Sequence, residues 1–303
     1  MGMLDGKVAI VTGGGRGLGR AHCLALAAAG ATVVVNDLGS GLHGEQTTES
    51  PAAEVAAEIT ELGGAAIANH ASVTDWAATE AMVADTVAEF GRLDIVVNNA
   101  GIVRDRMLFA MSEAEFDAVI AVHLKGTFAL TRHACAYWRA ASKRGEPVAG
   151  RVINTTSGTG LFGNAGQANY GAAKGGIASL TVITAIEMRR YGVTANAISP
   201  LAATRMTADL PVAGTGGDEA GFDPRDPANA SGTVVYLASD AASWLTGQIL
   251  RVDGNTINRL RGWTITASHT GTPGQPVSAE ELTDALPQLY GTAPTGRPAT
   301  QPS

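Results

Sequence analysis

Tyr170 and Lys174 stand four positions apart in the stretch QANYGAAKGG, residues 167 to 176, of a 303-residue chain that uses aromatic and charged residues sparingly. On a helix this spacing puts both side chains on one face, one turn apart. A free phenol has a pKa of about 10 and is no base at neutral pH. An adjacent ammonium favours the phenolate. Lowering the pKa by roughly three units takes about 4 kcal/mol of differential stabilisation, within reach of two nearby cations in a dry cleft. Ser157, 13 residues upstream, can hydrogen-bond the same substrate oxygen. Together the three would fix a secondary alcohol so that its proton leaves to Tyr170 while its hydride leaves to an acceptor. Taken singly, each has a plainer use: a strand-end serine, a packed tyrosine, a solvated lysine.

The acceptor is written at the other end of the chain. The run KVAIVT, residues 7 to 12, leads into TGGGRGLGR, residues 12 to 20, and then into an Ala-rich helical pattern. Glycines there let the backbone turn tightly and let a pyrophosphate approach a helix N-terminus, whose free N–H groups and dipole favour anions. The strict G-x-G-x-x-G spacing is absent; Gly13, Gly17 and Gly19 stand instead. Asp37 closes the second strand pattern, 18 residues after Gly19. A carboxylate there accepts both ribose hydroxyls of NAD and repels the 2′-phosphate of NADP. Arg16, inside the loop, argues the other way, but Leu38 follows Asp37 where a second cation would serve NADP. The expected cofactor is therefore NAD. NNAG, residues 98 to 101, ends the fourth strand pattern at the edge where ligands sit in open α/β sheets.

These residues need a scaffold of alternating strands and helices, and the sequence supplies one. Seven β-branched or apolar runs, at 7–12, 32–36, 65–69, 94–99, 151–156, 193–199 and 248–252, alternate with long Ala-rich helical patterns. The runs are apolar without alternation, as burial on both faces requires, and predict an α/β fold, a doubly wound seven-stranded parallel sheet. Ser112 and Glu115 form a capping box that opens a helix over 113–143, and the helix with Tyr170 runs to about Arg190. Residues 201–227, rich in Gly, Pro, Ala and Asp, read as a substrate lid. The catalytic domain is expected to span 1–255. Residues 256–303 are expected to form a C-terminal extension, in which Ser278 and Glu281 cap a short helix and the last dozen residues are disordered.

Composition narrows the function classes. A net charge of -7 without any Lys/Arg-rich run has the wrong sign for a phosphate-backbone binder, so no nucleic acid partner is expected. No apolar run reaches the roughly 18 residues of a membrane span, and no signal-like segment opens the chain, so the expected location is cytoplasmic. Cys23 and Cys135 lie far apart on apolar helical patterns and read as reduced core thiols. No metal ligands are assigned.

TGGGRGLG, NNAG, Ser157 and the Tyr170–Lys174 pair resemble the short-chain dehydrogenase/reductase family over about residues 4 to 255. The resemblance implies a single-domain Rossmann fold and a homo-oligomer, a tetramer or dimer. The finer stretches VVNDLG (34–39), NNAGIVRDRM (98–107), AVHLKGTF (121–128) and GQANY (166–170) are similar to two groups within it. One is the 3-hydroxyacyl-CoA dehydrogenase part of peroxisomal multifunctional enzymes. The other is the actinobacterial dehydrogenases of steroid and side-chain catabolism, including 17β-hydroxysteroid dehydrogenase-like members. The implied catalytic residues are Ser157, Tyr170, Lys174 and His123. The implied cofactor set is Gly13, Arg16, Gly17, Leu18, Gly19, Asp37, Leu38, Ser72, Val73, Asn99, Ala100, Gly101, Tyr170, Lys174, Pro200 and Thr204.

Three departures from the family pattern matter. His123 stands where most members carry an Asn that holds a relay water, and it reads as a substitute relay residue. The family's adenine-contacting Asp is replaced around Ser72 and Val73, and the usual Pro-Gly after the sixth strand is Pro200-Leu201. The substrate expected is a small molecule, acyl-CoA or steroid-like; Arg104, Arg106, Arg205 and Arg225 are candidates to meet CoA phosphates. An NADPH-dependent 3-oxoacyl reductase shares the same chemistry and is the competing reading. A silent NAD-binding scaffold would have lost Ser157, Tyr170 or Lys174, and all three are present. Phe128, Trp138, Ile177 and Leu180 look surplus to one sheet face and point to a helix-pair oligomer interface.

Overall fold

Short apolar runs, buried in the central strands and partly exposed in β3, form β1 (Val8–Thr12), β2 (Thr32–Asn36), β3 (Ala65–Asn69), β4 (Ile95–Asn98), β5 (Arg151–Thr155), β6 (Thr194–Leu201) and β7 (Ile249–Asp253). The computed structural model describes residues 2–39, 50–202 and 222–291. These seven strands are parallel and lie in the order β3-β2-β1-β4-β5-β6-β7. The chain winds outward from β1 in both directions, and that reversal between β1 and β4 leaves a crevice at the carboxyl edge.

One face of the sheet is covered by α1 (Gly17–Ala28), α2 (Pro51–Glu61) and α8 (Ser231–Ala238), with Val11, Val33 and Val35 packed on Cys23, Leu26, Ile59 and Leu237. The other is covered by α3 (Trp76–Phe90), α5 (Gly126–Lys143) and α7 (Ala168–Met188), with Ile10, Val34 and Val96 packed on Met82, Leu130, Trp138 and Ala185. Alternate residues of one strand thus serve two cores, which is why the strand runs carry no polar alternation. The expected helix over 113–143 is opened by the Ser112–Glu115 capping box, but it is not continuous. α4 (Glu113–Ile120) and α5 are joined by a π-turn at Ala121–Lys125, in which the Gly126 amide reaches back to the Ala121 carbonyl.

Two expectations are corrected. The sheet has eight strands, because β8 (Thr256–Leu260), placed by the sequence reading in the extension, folds back antiparallel on β7. Its turn is the pair Gly254-Asn255, with Gly254 at φ 53°, a two-residue hairpin that only a residue tolerant of positive φ can begin. Trp138 and Ile177 are not surplus: they are 2% and 1% exposed, filling the monomer's own interior. Leu180 is half-buried, and Phe128 is exposed together with Ile183 and Ile186 of α7.

The chain divides into two compact units, Met1–Leu260 and Arg261–Ser303. Within the second, α9 (Ala279–Tyr290) starts at Ser278, whose hydroxyl accepts from the Glu281 amide at 3.1 Å, and α6 (Gly158–Phe162) in the first completes the helices among the described residues. Of the expected lid over 201–227, residues 203–221 lie outside the described residues, as do Thr204, Arg205 and the tail from 292. No helix among the described residues is long and apolar enough to cross a membrane. Among the same residues no cluster of three metal-ligating side chains occurs.

Candidate active site

Ser157 follows the end of β5 as the N-cap of α6, and its hydroxyl accepts from the Thr159 amide at 3.3 Å. Tyr170 and Lys174 sit in the first two turns of α7, whose start is packed against α6. The helix spacing read from the sequence therefore holds. Lys174 is 3% exposed; its Nζ donates to the Thr155 carbonyl at 2.6 Å and lies 5.5 Å from the Tyr170 ring centre. The Thr156 hydroxyl donates to the Lys174 carbonyl at 2.7 Å, tying α7 to the end of β5. His123, in the π-turn, meets the Tyr170 ring edge to face at 5.1 Å. All four expected catalytic residues converge at the carboxyl edge of the sheet.

The electrostatics bear on why the sequence reading counts two cations beside the phenol rather than one. Tyr170 keeps part of its surface open, yet the protein packed around its phenol pushes the pKa up to about 12, against a lowering by the hydrogen bond with Ser157 and a further rise from the Asp105 charge. Burial likewise pushes Lys174 down to about 7. Both groups thus lose solvation, which disfavours a phenolate–ammonium pair, while one N–H of Nζ holds Thr155. A second positive charge in the cleft is needed.

His123 is fully buried and pushed down to about 3 by burial and by the charge of Lys174. Its Nε2 lies 2.7 Å from the Ile102 carbonyl and 3.0 Å from the Ile102 amide, and one nitrogen cannot donate and accept at once. In either tautomer Nδ1 is buried without a hydrogen-bond partner among the described residues. The ring also explains Gly101, where an added Cβ would overlap His123 Cε1.

The glycine-rich turn has the features of an anion cradle. Gly13 adopts φ 61° and Gly17 φ 51°, values that L side chains rarely take. α1 begins at Gly17 with Arg16 as an extended N-cap and no side-chain cap, which leaves its first N–H groups for a ligand. Leu18 packs into the core beneath the turn. Asn99 Nδ2 donates to the carbonyls of Thr12 and Gly13, both at 3.1 Å, while the Thr12 hydroxyl accepts from the Asn99 and Ala100 amides at 3.0 and 3.1 Å. Asp37 stands at the end of β2 against this turn, accepting from the Gly15 amide at 3.0 Å and the Gly39 amide at 2.9 Å, with Leu38 exposed beside it. Ser72 is turned to Thr74, its hydroxyl 2.9 Å from Thr74 Oγ1, and Val73 is buried against Gly126. Pro200 and Leu201 continue β6, paired with Val252 and Asp253.

Of the candidate CoA-binding arginines, Arg106 is held by Glu115 at 3.0 Å and Arg104 Nη1 donates to the Val103 carbonyl at 3.4 Å. The sequence reading named Asn98 within NNAG but missed the other polar residues behind the site, Asn154, Thr131 and Thr181. Asn98, Asn154, Thr131 and Thr181 form a buried chain, Asn98 Nδ2 donating to Thr131 Oγ1 at 3.0 Å and Asn154 Oδ1 at 2.9 Å, and Asn154 Nδ2 to Thr181 Oγ1 at 2.9 Å. An Asn at the end of successive strands was the available signal.

Two buried histidines make the fold acid-sensitive. His22, fully buried with Nδ1 2.9 Å from the Ser231 hydroxyl, is pushed down to about 4, and His123 to about 3, both by burial. Below the ordinary histidine value the unfolded chain binds protons that the folded chain refuses. Stability should therefore fall as pH drops from about 6.5 toward 4, by about 1.4 kcal/mol per pH unit for each histidine. Urea midpoints at pH 7 and pH 5 check this; equal midpoints would contradict it.

The short chain dehydrogenase family model matches residues 7–212. The chain is 49% identical over 253 residues to hydroxyacyl-CoA dehydrogenase ChsB1 of Mycobacterium tuberculosis, covering 83% of this chain and 78% of that one. It is 38% identical over 297 residues to peroxisomal multifunctional enzyme type 2 of Mus musculus, covering 98% of this chain but only 38% of the larger protein. It is 40% identical over 266 residues to a 3-oxoacyl-[acyl-carrier-protein] reductase of Synechocystis, covering 84% of this chain and 98% of that one. A crystal structure of a short chain dehydrogenase from Mycobacterium avium superposes with TM-score 0.84 at 50% identity, covering 96% of both chains.

Proposed function

The chain belongs to the short-chain dehydrogenase family of oxidoreductases, and on that premise we propose that it oxidises a secondary alcohol to a ketone with NAD, the substrate being a 3-hydroxyacyl-CoA or a steroid-derived alcohol. The observation that carries the reading is the convergence of Ser157, Tyr170 and Lys174 on one edge, with the glycine-rich turn and Asp37 on the same edge. The residues fit the family's nicotinamide dinucleotide: the N-terminus of α1 suits the pyrophosphate and the Asp37 carboxylate suits two ribose hydroxyls. When bound, the oxidised cofactor supplies the hydride acceptor and a positive ring.

Ser157 holds the substrate oxygen and Tyr170 removes its proton. Lys174 stabilises the phenolate once the cleft carries a second positive charge, and its bond to Thr155 keeps the ammonium in place. We assign His123 to the proton relay; its buried Nδ1, without a hydrogen-bond partner among the described residues and beside the Lys174 charge, supports this. The hydroxyacyl-CoA reading draws on the name of the Mycobacterium tuberculosis relative, and the Synechocystis relative keeps an NADPH-dependent reductase as the second reading. The exposed Phe128, Ile183 and Ile186 support a homo-oligomer, and two free cysteines suit the cytosol.

Reduction of NAD by a 3-hydroxyacyl-CoA, run beside a free 17β-hydroxysteroid and beside NADP, tests the reading. Turnover of neither alcohol with either dinucleotide would overturn it. Asp37→Asn removes the carboxylate charge while keeping one acceptor for the turn, and it should lower the NAD to NADP ratio of kcat/KM at least about tenfold, the weight of one charge-assisted hydrogen bond. An unchanged ratio would remove Asp37 from cofactor choice.

A further inference from the structure

The loop after β4 is fastened to the start of the catalytic helix by side chains that touch neither the alcohol nor the dinucleotide in the mechanism above. Gln167, 7% exposed, donates through Nε2 to Asp105 at 2.8 Å; its Oε1 accepts from the Thr159 hydroxyl at 2.9 Å and from Asn164 at 3.0 Å. Asn169, fully buried, donates to the carbonyls of Arg104 at 2.9 Å and Glu115 at 3.1 Å, and its oxygen accepts from the Tyr170 amide at 2.7 Å. The Arg106 amide donates to the Gly166 carbonyl at 2.8 Å. One glutamine thus bridges three pieces: α6, which Ser157 caps; the turn leading to Tyr170; and the loop that carries Asp105.

We propose that Gln167 and Asp105 are positioning residues of the reaction, Gln167 fixing the separation of Ser157 from Tyr170 and Asp105, bonded to Gln167 just before Tyr170, setting the charge that Tyr170 meets. This rests on the reading of Tyr170 as the base. Buried amides with three bonds each have one arrangement that satisfies them, so the clamp fixes the site's geometry as well as holding two segments together. Among the described residues the titratable groups facing Tyr170 are Lys174 from its own helix, His123 from the π-turn and Asp105 from the loop. Of these, Asp105 alone is acidic, and its charge opposes the phenolate. Arg106 is paired with Glu115. Gln167 holds the carboxylate where this opposition acts.

Three variants test the pair. Asp105→Asn keeps an acceptor for Gln167 and removes the charge, so the acidic limb of kcat/KM should move down by about half to one pH unit with dinucleotide Kd unchanged. Gln167→Ala should lower kcat by about 10- to 100-fold with little change in dinucleotide Kd, the cost of a reacting group displaced by about 1 Å. Gln167→Glu should be impaired by repulsion from Asp105, and adding Asp105→Asn should restore kcat, because Asn can then donate to the new carboxylate.

A readout without turnover keeps this separate from the family reaction. Tyrosinate absorbance is titrated in the parent and in Asp105→Asn, with the corresponding Tyr170→Phe spectra subtracted, and the Tyr170 step should move to lower pH. Hydrogen exchange over 104–106 and 157–167 should quicken in Gln167→Ala. An unmoved Tyr170 step in Asp105→Asn, or parental exchange in Gln167→Ala with kcat within about twofold, would overturn the proposal. A shifted step in a protein that oxidises no alcohol tested would uphold the placement of Asp105 and fault only the proposed reaction.

Discussion

Tyr170→Phe should lower kcat by about 10³-fold while leaving the dinucleotide Kd within about twofold. The variant removes one oxygen and keeps the ring that packs edge to face on His123. His123 is pushed down to about 3, too weak a base at neutral pH to take over the proton, and Lys174, pushed down to about 7 and holding Thr155 through one N–H, is the neighbour that would carry the residual rate. Ser157 would keep its place at the start of α6, because its hydroxyl is held by the Thr159 amide. Stopped-flow and steady-state rates, with cofactor fluorescence for Kd, separate the loss of chemistry from loss of binding. A kcat within tenfold of the parent would put the proton acceptor elsewhere.

Gly19→Ala should weaken dinucleotide binding by more than about 100-fold and destabilise the fold by about 1–3 kcal/mol, the range for a methyl forced into a packed site. An added Cβ would overlap the Gly13 carbonyl oxygen and come within 2.6 Å of Asn99 Nδ2. Those atoms are already bonded to each other at 3.1 Å, so the methyl would part the turn from the end of β4. Backbone cannot yield as a flexible side chain does. Cofactor titration and urea denaturation read the two effects, and a Kd within threefold would show that the turn can relax.

The contrast between these positions shows where sequence reasoning reached and where it stopped. Most of the seven parallel strands were legible because they are buried on both faces, which forces continuous apolar runs, and the edge strand β3 was legible from its apolar run AAIAN between two helical patterns. β8 escaped because it pairs on one side only and is largely exposed; the Gly254-Asn255 pair between two β-branched runs was the usable sign. Ser157, Tyr170 and Lys174 were legible because helix spacing and chemical type are local. Gln167 and Asn169 stood in the very stretch that drew notice, yet their partners Asp105 and Arg104 lie 62 and 65 residues away. The phenol's rise to about 12 was hidden for a related reason: residue type shows which charges are available but not how much solvent the fold removes. Trp138 and Ile177 were misjudged because a helical pattern does not show how wide a face its own sheet can cover.

The π-turn at Ala121–Lys125 places one residue more than regular α-helix between α4 and α5. Each residue of an α-helix turns its neighbours by about 100°, so the extra one sets the azimuth of everything downstream. Deleting a single residue there would restore an unbroken helix and rotate Leu130 and Trp138 off the sheet, or else swing His123 off Tyr170. In this segment a chain one residue shorter is a different machine, whereas a substitution is only a variant. Length, more than identity, is the character to follow when related chains are aligned across it.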